Sequence, residues 1–146
     1  MSEFDLTELL PHSGKMLLLD ELIDWGEDWL EAAVNIKETS MFVEHGYVNS
    51  LVVIEYMAQS IAALAGLRAK NKNEAVRIGL LLGTRKFDSS EVIIPVGSRL
   101  LIHVKEMFLE ENGLGVFKCK ATAPGISIDC NLNVYHPDDI GVILDE

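Results

Sequence analysis

Residues 49–68 read Asn-Ser-Leu-Val-Val-Ile-Glu-Tyr-Met-Ala-Gln-Ser-Ile-Ala-Ala-Leu-Ala-Gly-Leu-Arg. Asn49 and Ser50 are good helix caps, and no proline interrupts Leu51 to Arg68. The apolar residues go nearly all the way round, which predicts a helix buried on most of its faces. Gly66 falls near its end, and the exit is polar: Lys70-Asn71-Lys72-Asn73. A helix of this kind needs a sheet curled around it.

The rest of the chain can supply that sheet. Met16–Trp25 and Trp29–Ile36 read as antiparallel partners with Gly26-Glu27-Asp28 as their turn. Four strands are expected after the helix: Val76–Lys86, Arg99–Leu109, Val116–Ala123 and Ile126–Tyr135. Asn112-Gly113 marks a hairpin and Pro124-Gly125 a turn. Within Arg99–Leu109, Leu100, Ile102 and Val104 alternate with Leu101, His103 and Lys105. Leu6 to Leu10 is a brief helical turn stopped by Pro11, and the acidic tail from Pro137 is expected to be weakly ordered. The expectation is an α+β fold, a single domain over 1–146, with one helix wrapped by an antiparallel sheet. Exposed apolar surface on the last strands and the helix ends points to a dimer paired at sheet edges.

Composition narrows the function. The 146 residues carry 12 Lys+Arg against 23 Asp+Glu, a net charge of −11, and 49% are hydrophobic. That supports a packed core and argues against disorder as the main state. It also argues against nucleic acid and anionic membrane surfaces as partners, since both are bound through clustered cations. The acidic N-terminus lacks the form of a secretory signal. The apolar run Leu51–Leu67, broken by Glu55, Gln59 and Ser60, falls short of the roughly 20 residues that cross a bilayer. A cytoplasmic protein is expected. Cys119 and Cys130 read as reduced core thiols, with a disulfide across neighbouring strands as the alternative.

Glu55 is the residue most able to carry chemistry. Among Val52, Val53, Ile54, Tyr56 and Met57, a carboxylate is expected to be desolvated, with a raised pKa that suits a general acid. Gln59, four residues on, shares its face and can orient it. Otherwise Glu55 points out through a gap in the sheet, or pairs with an arginine. His12 and His45 sit on loops that can bring an imidazole near Glu55, whereas His103 and His136 read as structural or surface groups. No histidine spacing suits a metal, neither Gly14-Lys15 nor Gly79–Gly83 completes a phosphate-binding loop, and no serine has a nucleophile-elbow context. No cofactor is expected.

Several segments together resemble the FabZ-like 3-hydroxyacyl-[acyl carrier protein] dehydratases. Leu10-Pro11-His12 with Met16-Leu17-Leu18-Leu19-Asp20 is similar to their opening, and Glu55-Tyr56-Met57-Ala58-Gln59 to their Glu-Ala-x-Ala-Gln helix signature. Gly83-Thr84-Arg85-Lys86-Phe87 with Pro95-Val96-Gly97-Ser98-Arg99-Leu100 resembles their later Lys-Phe…Val-x-Pro-Gly-Asp-x-Leu stretch. Leu82-Gly83-Thr84-Arg85, Gly113-Leu114-Gly115-Val116-Phe117 and Leu132-Asn133-Val134-Tyr135 bring the chain nearest to the small dehydratase-like proteins of aryl polyene pathways.

The resemblance implies a hotdog fold, an acyl carrier protein bearing the substrate, and active sites at the interface of a homodimer or mixed hotdog dimer. It implies Glu55 as the acid that protonates the departing hydroxyl. A histidine base, His45 or failing that His12, takes the α-proton, and backbone N–H groups at the helix start polarise the thioester carbonyl. His45 lies only ten residues before Glu55, closer than the family spacing, and Asn49-Ser50 replaces the family's Pro-Gly. Three roles stay open: an active dehydratase, a thioesterase in which Glu55 activates water, and a non-catalytic partner of an active dehydratase. The acidity is also uneven. Arg68, Lys70, Lys72, Arg77, Arg85 and Lys86 face only Glu74 between positions 68 and 86, a candidate landing site for an acidic carrier protein.

Overall fold

The structure, a computed structural model, describes residues 17–72, 80–110 and 112–135. The expected turn at 6–10, His12, Arg77, the first residues of the strand placed at Val76–Lys86, His136 and the tail from Pro137 lie outside the described residues. Strand β1 (Glu21–Trp25) turns into β2 (Trp29–Asn35), and β3 (Tyr47–Asn49) leads through a 3-10 turn (Ser50–Val52) into helix α1 (Val53–Asn71). Then follow β4 (Leu80–Ser89), β5 (Ile93–Pro95), β6 (Arg99–Leu109), β7 (Leu114–Ala123) and β8 (Ile126–Tyr135). Six strands form one antiparallel sheet in the order β1-β2-β6-β7-β8-β4, while β3 and β5 pair separately. This is the expected α+β hotdog arrangement.

Alternation explains how the sheet takes the helix. Leu30, Ala32 and Val34 of β2, Leu100, Ile102 and Val104 of β6, and Phe117, Cys119 and Ala121 of β7 are buried on one face. α1 packs against these three strands. Tyr56, Met57, Ile61, Leu64 and Leu67 fill the space between, and Ala63 and Gly66 leave room for close approach. Asn49 caps the helical stretch: its side-chain Oδ1 accepts from the Leu51 N–H at 2.9 Å, as the sequence predicted. At the β6–β7 hairpin, Gly113 takes φ +94°, a left-handed conformation that the Asn112-Gly113 pair anticipates.

Some boundaries differ, each for a physical reason. β1 begins at Glu21 rather than Met16, because the Leu18 N–H donates to the Gln59 side chain instead of a strand partner. β4 runs on to Ser89 through irregular pairing at Leu81/Gly83 and Arg85/Asp88, with Lys86 in the left-handed region at φ +55°. The helical stretch spans Ser50–Asn71, 22 residues whose most apolar 18-residue window has a mean hydropathy of 1.5, so by length it exceeds what the run Leu51–Leu67 suggested. Of its most apolar window 61% is buried inside the fold, the mark of a core helix.

Arg68 closes the far end of α1. Its guanidinium meets Glu106 at 3.0 and 3.2 Å and donates twice to the Glu27 carbonyl, at 3.0 and 2.7 Å. The cation placed by the sequence reading in a carrier-protein landing site is therefore largely spent inside the fold. Cys119 and Cys130 face each other across β7 and β8 as free, buried thiols. The hydrogen bond with Cys130 and burial push the Cys119 thiol far above its usual range.

Candidate functional site

The start of α1 is fixed by its surroundings. The Ser50 N–H donates to the Val92 carbonyl at 2.8 Å, and Asn49 pairs with Ile93 across β3 and β5. These contacts set the 92–93 segment beside the first helical turn, which carries Glu55. Leu51 is 58% exposed and Val92 73%, so this end of the helix presents apolar surface that one chain leaves uncovered.

Glu55 itself is exposed. The desolvation expected from its sequence neighbours is not supplied within one chain: Val53, Tyr56 and Met57 turn inward, and the carboxylate points through the open side of the wrap. Gln59 is buried, and its Oε1 accepts from the Leu18 N–H at 2.9 Å. Its acceptor thus ties the helix to the segment that enters β1.

His45 occupies the tip of a tight turn. The N–H of Glu44 donates to the Tyr47 carbonyl at 2.9 Å and the Tyr47 N–H donates back to Glu44 at 3.1 Å. His45 (φ +56°) and Gly46 (φ +85°) both take left-handed backbone between them. The Val96 N–H donates to the Gly46 carbonyl at 2.9 Å, which docks the turn on the β5 side. The imidazole is exposed, and no hydrogen bond or ion pair joins it to Glu55 among the described residues. His12 lies outside the described residues. His103 is structural, as expected, its ring stacked on Trp29 at 5.8 Å between centroids.

One residue escaped the sequence reading. Tyr56, 2% exposed, lines a cavity of about 160 Å³ with Leu18, Val34, Ser40 and Met41. Burial and the nearby Asp20 carboxylate push its phenol up to about 12. Its position directly after Glu55 was the available signal, because an aromatic within an all-apolar helix reads as plain core. Among the described residues no cluster of histidine, cysteine and carboxylate side chains could hold a metal ion.

A family model described as ApeP-like, ApeP dehydratase, matches residues 4–145. The chain is 28% identical over 131 residues to the 3-hydroxyacyl-[acyl-carrier-protein] dehydratase FabZ of Brucella ovis, covering 84% of this chain and 80% of that protein. It is 27% identical over 132 residues to FabZ of Bartonella quintana, covering 85% and 81%. Among solved structures it is similar to a chain of the dehydratase heterocomplex ApeI:P of Xenorhabdus doucetiae, with a TM-score of 0.88, 26% identity and coverage of 98% and 97%. A virulence protein of Campylobacter jejuni, at a TM-score of 0.66, 14% identity and coverage of 92% and 96%, shares the fold alone.

Proposed function

This chain belongs to the ApeP-like dehydratase family, and from that premise we infer that it serves the dehydration of a 3-hydroxyacyl thioester on acyl carrier protein to the trans-2-enoyl thioester. The observation that carries this reading is Glu55, exposed on the first turn of the core helix within the Glu55–Gln59 signature. In this proposal residues 1–146 act as one hotdog unit in the cytoplasm. The free edge of β4, with Leu81 and Leu82 exposed, pairs with a second hotdog subunit. The same pairing covers the apolar surface at Leu51 and Val92 and encloses the Glu55 carboxyl between the two subunits.

The α-proton is taken by an imidazole of the facing subunit, His45 or failing that His12. The exposed turn at 44–47 supports His45, since a side chain held at a docked turn tip can reach across an interface. Electrons from the broken C–H bond form the double bond as the 3-hydroxyl leaves with the proton from Glu55. Backbone donors at the helix start stabilise charge on the thioester oxygen. The direct test is incubation with a 3-hydroxyacyl-carrier-protein and detection of the loss of water by intact mass. Enoyl product is expected, and free acid would place the protein with thioesterases instead.

A second reading has its own support. His45 departs from the family spacing, and the similar Xenorhabdus chain is part of a dehydratase heterocomplex. In that reading this chain is the non-catalytic half of a mixed hotdog dimer. No turnover alone, with turnover enhanced beside an unlike hotdog subunit even when Glu55 is replaced by Gln, identifies that role.

A further inference from the structure

Tyr56 is 2% exposed, yet its hydroxyl makes no hydrogen bond among the described residues. A buried polar group left unpaired is destabilising and rare in folded proteins. The phenol walls the cavity of about 160 Å³ that lies between β2, the segment 17–20 and the loop 37–41, where the Asp20 carboxylate also bears on it. The polar side chains that share this cavity are already engaged. Asp20 accepts from the Asn35 N–H at 2.7 Å and meets the Lys37 ammonium at 3.5 Å. Ser40 Oγ accepts from the Lys37 N–H at 2.8 Å and donates to the Asn35 carbonyl at 3.5 Å. Thr39, at the rim, is exposed, and Leu18, Val34 and Met41 add apolar wall. The cavity thus offers one unmet buried hydrogen-bonding group, beside hydrocarbon, behind a rim whose two charges cancel.

We propose that this cavity binds one small uncharged molecule, a compact hydrocarbon bearing a single carbonyl oxygen that accepts from the Tyr56 hydroxyl. A cavity of about 150 Å³ takes one benzene, so this one is sized for a six-membered ring. Charge is selected against. An anion meets the Asp20 carboxylate, a cation meets the Lys37 ammonium, and either sheds water on entering. The site is also separate from the candidate catalytic group. Its walls lie at the β1–β2 end of the sheet, whereas the edge proposed for subunit pairing is β4, at the other end. Neighbouring helix positions differ by about 100° of rotation, and Tyr56 turns inward where Glu55 is exposed. Binding is measured without turnover, so a protein with no dehydratase activity leaves the proposal standing.

The probe is cyclohexanone, titrated into the full chain and followed by the methyl NMR signals of Met41 and Val34. Saturable shifts at these methyls are expected, with a Kd on the order of 1 mM for so small a ligand. Tyr56→Phe keeps the ring and removes the donor. It should weaken cyclohexanone at least about threefold, while toluene, which has no acceptor, binds equally well or better. Met41→Trp, at the half-buried rim, fills the cavity and should abolish binding of both. Cyclohexanecarboxylate, the same ring bearing a charge, should not bind. The proposal is overturned if cyclohexanone leaves these methyls unmoved, the result for a cavity that holds water only. It is overturned equally if Tyr56→Phe binds cyclohexanone unchanged, if Met41→Trp retains binding, or if the carboxylate binds as tightly as the ketone.

Discussion

The Gln59 side chain accepts a hydrogen bond from the Leu18 backbone N–H, 2.9 Å away and 41 residues distant in sequence. This bond, more than helix propensity, sets where β1 starts. The segment that holds it also walls the cavity beside Tyr56. Replacing Gln59 by Leu leaves a part-buried N–H without its acceptor, and should lower stability by about 1–3 kcal/mol in urea unfolding. An unchanged midpoint would show the bond to be incidental.

Arg68 should behave as a fold residue rather than a docking residue. Its guanidinium joins α1 to the Glu27 carbonyl and to Glu106, whose side chain is 13% exposed. Arg68→Ala is expected to cost about 2–3 kcal/mol. Arg68→Lys should recover less than half, since a point charge cannot serve both partners. Denaturant midpoints for the two variants decide this.

Glu55→Gln separates chemistry from folding. The carboxylate makes no hydrogen bond or ion pair among the described residues, so Tm should not fall below that of the wild type. Dehydration should fall by about 100-fold or more when the proton donor is lost. Retained turnover would remove Glu55 from the mechanism.

Alkaline stability should report on Tyr56. Its phenol is raised from 10.0 to about 12 in the folded state. The folded form therefore holds the proton more tightly than the unfolded form, and this contribution is complete below pH 10. It is lost as pH rises towards 12, by about 2–3 kcal/mol over that window. Tyr56→Phe should flatten the fall between pH 10 and 12, and the part that remains belongs to other groups such as the raised Cys119 thiol.

The sheet was legible where alternation was strong: β6 and β8 begin and end at the expected residues, because one face is uniformly apolar. β3 and β5 were missed because three-residue strands give no period to read. Glu55 was placed on the right element, with its environment left open between a desolvated carboxylate and one pointing out through a gap in the sheet. A helix apolar on every side does not say which side its own sheet leaves open. Successive positions four apart differ by about 40° of rotation, enough here to bury Gln59 while Glu55 faces out. Arg68 looked like a surface cation because Glu27 and Glu106 are brought to it only by the folded topology.

The open edge of β4 has a consequence for measurement itself. If a second subunit covers that edge as proposed, folding and association are linked by mass action. Tm then rises with protein concentration, and dilution alone weakens the fold. A melting temperature for this chain is a property of the solution it was taken in, to be quoted with its molarity.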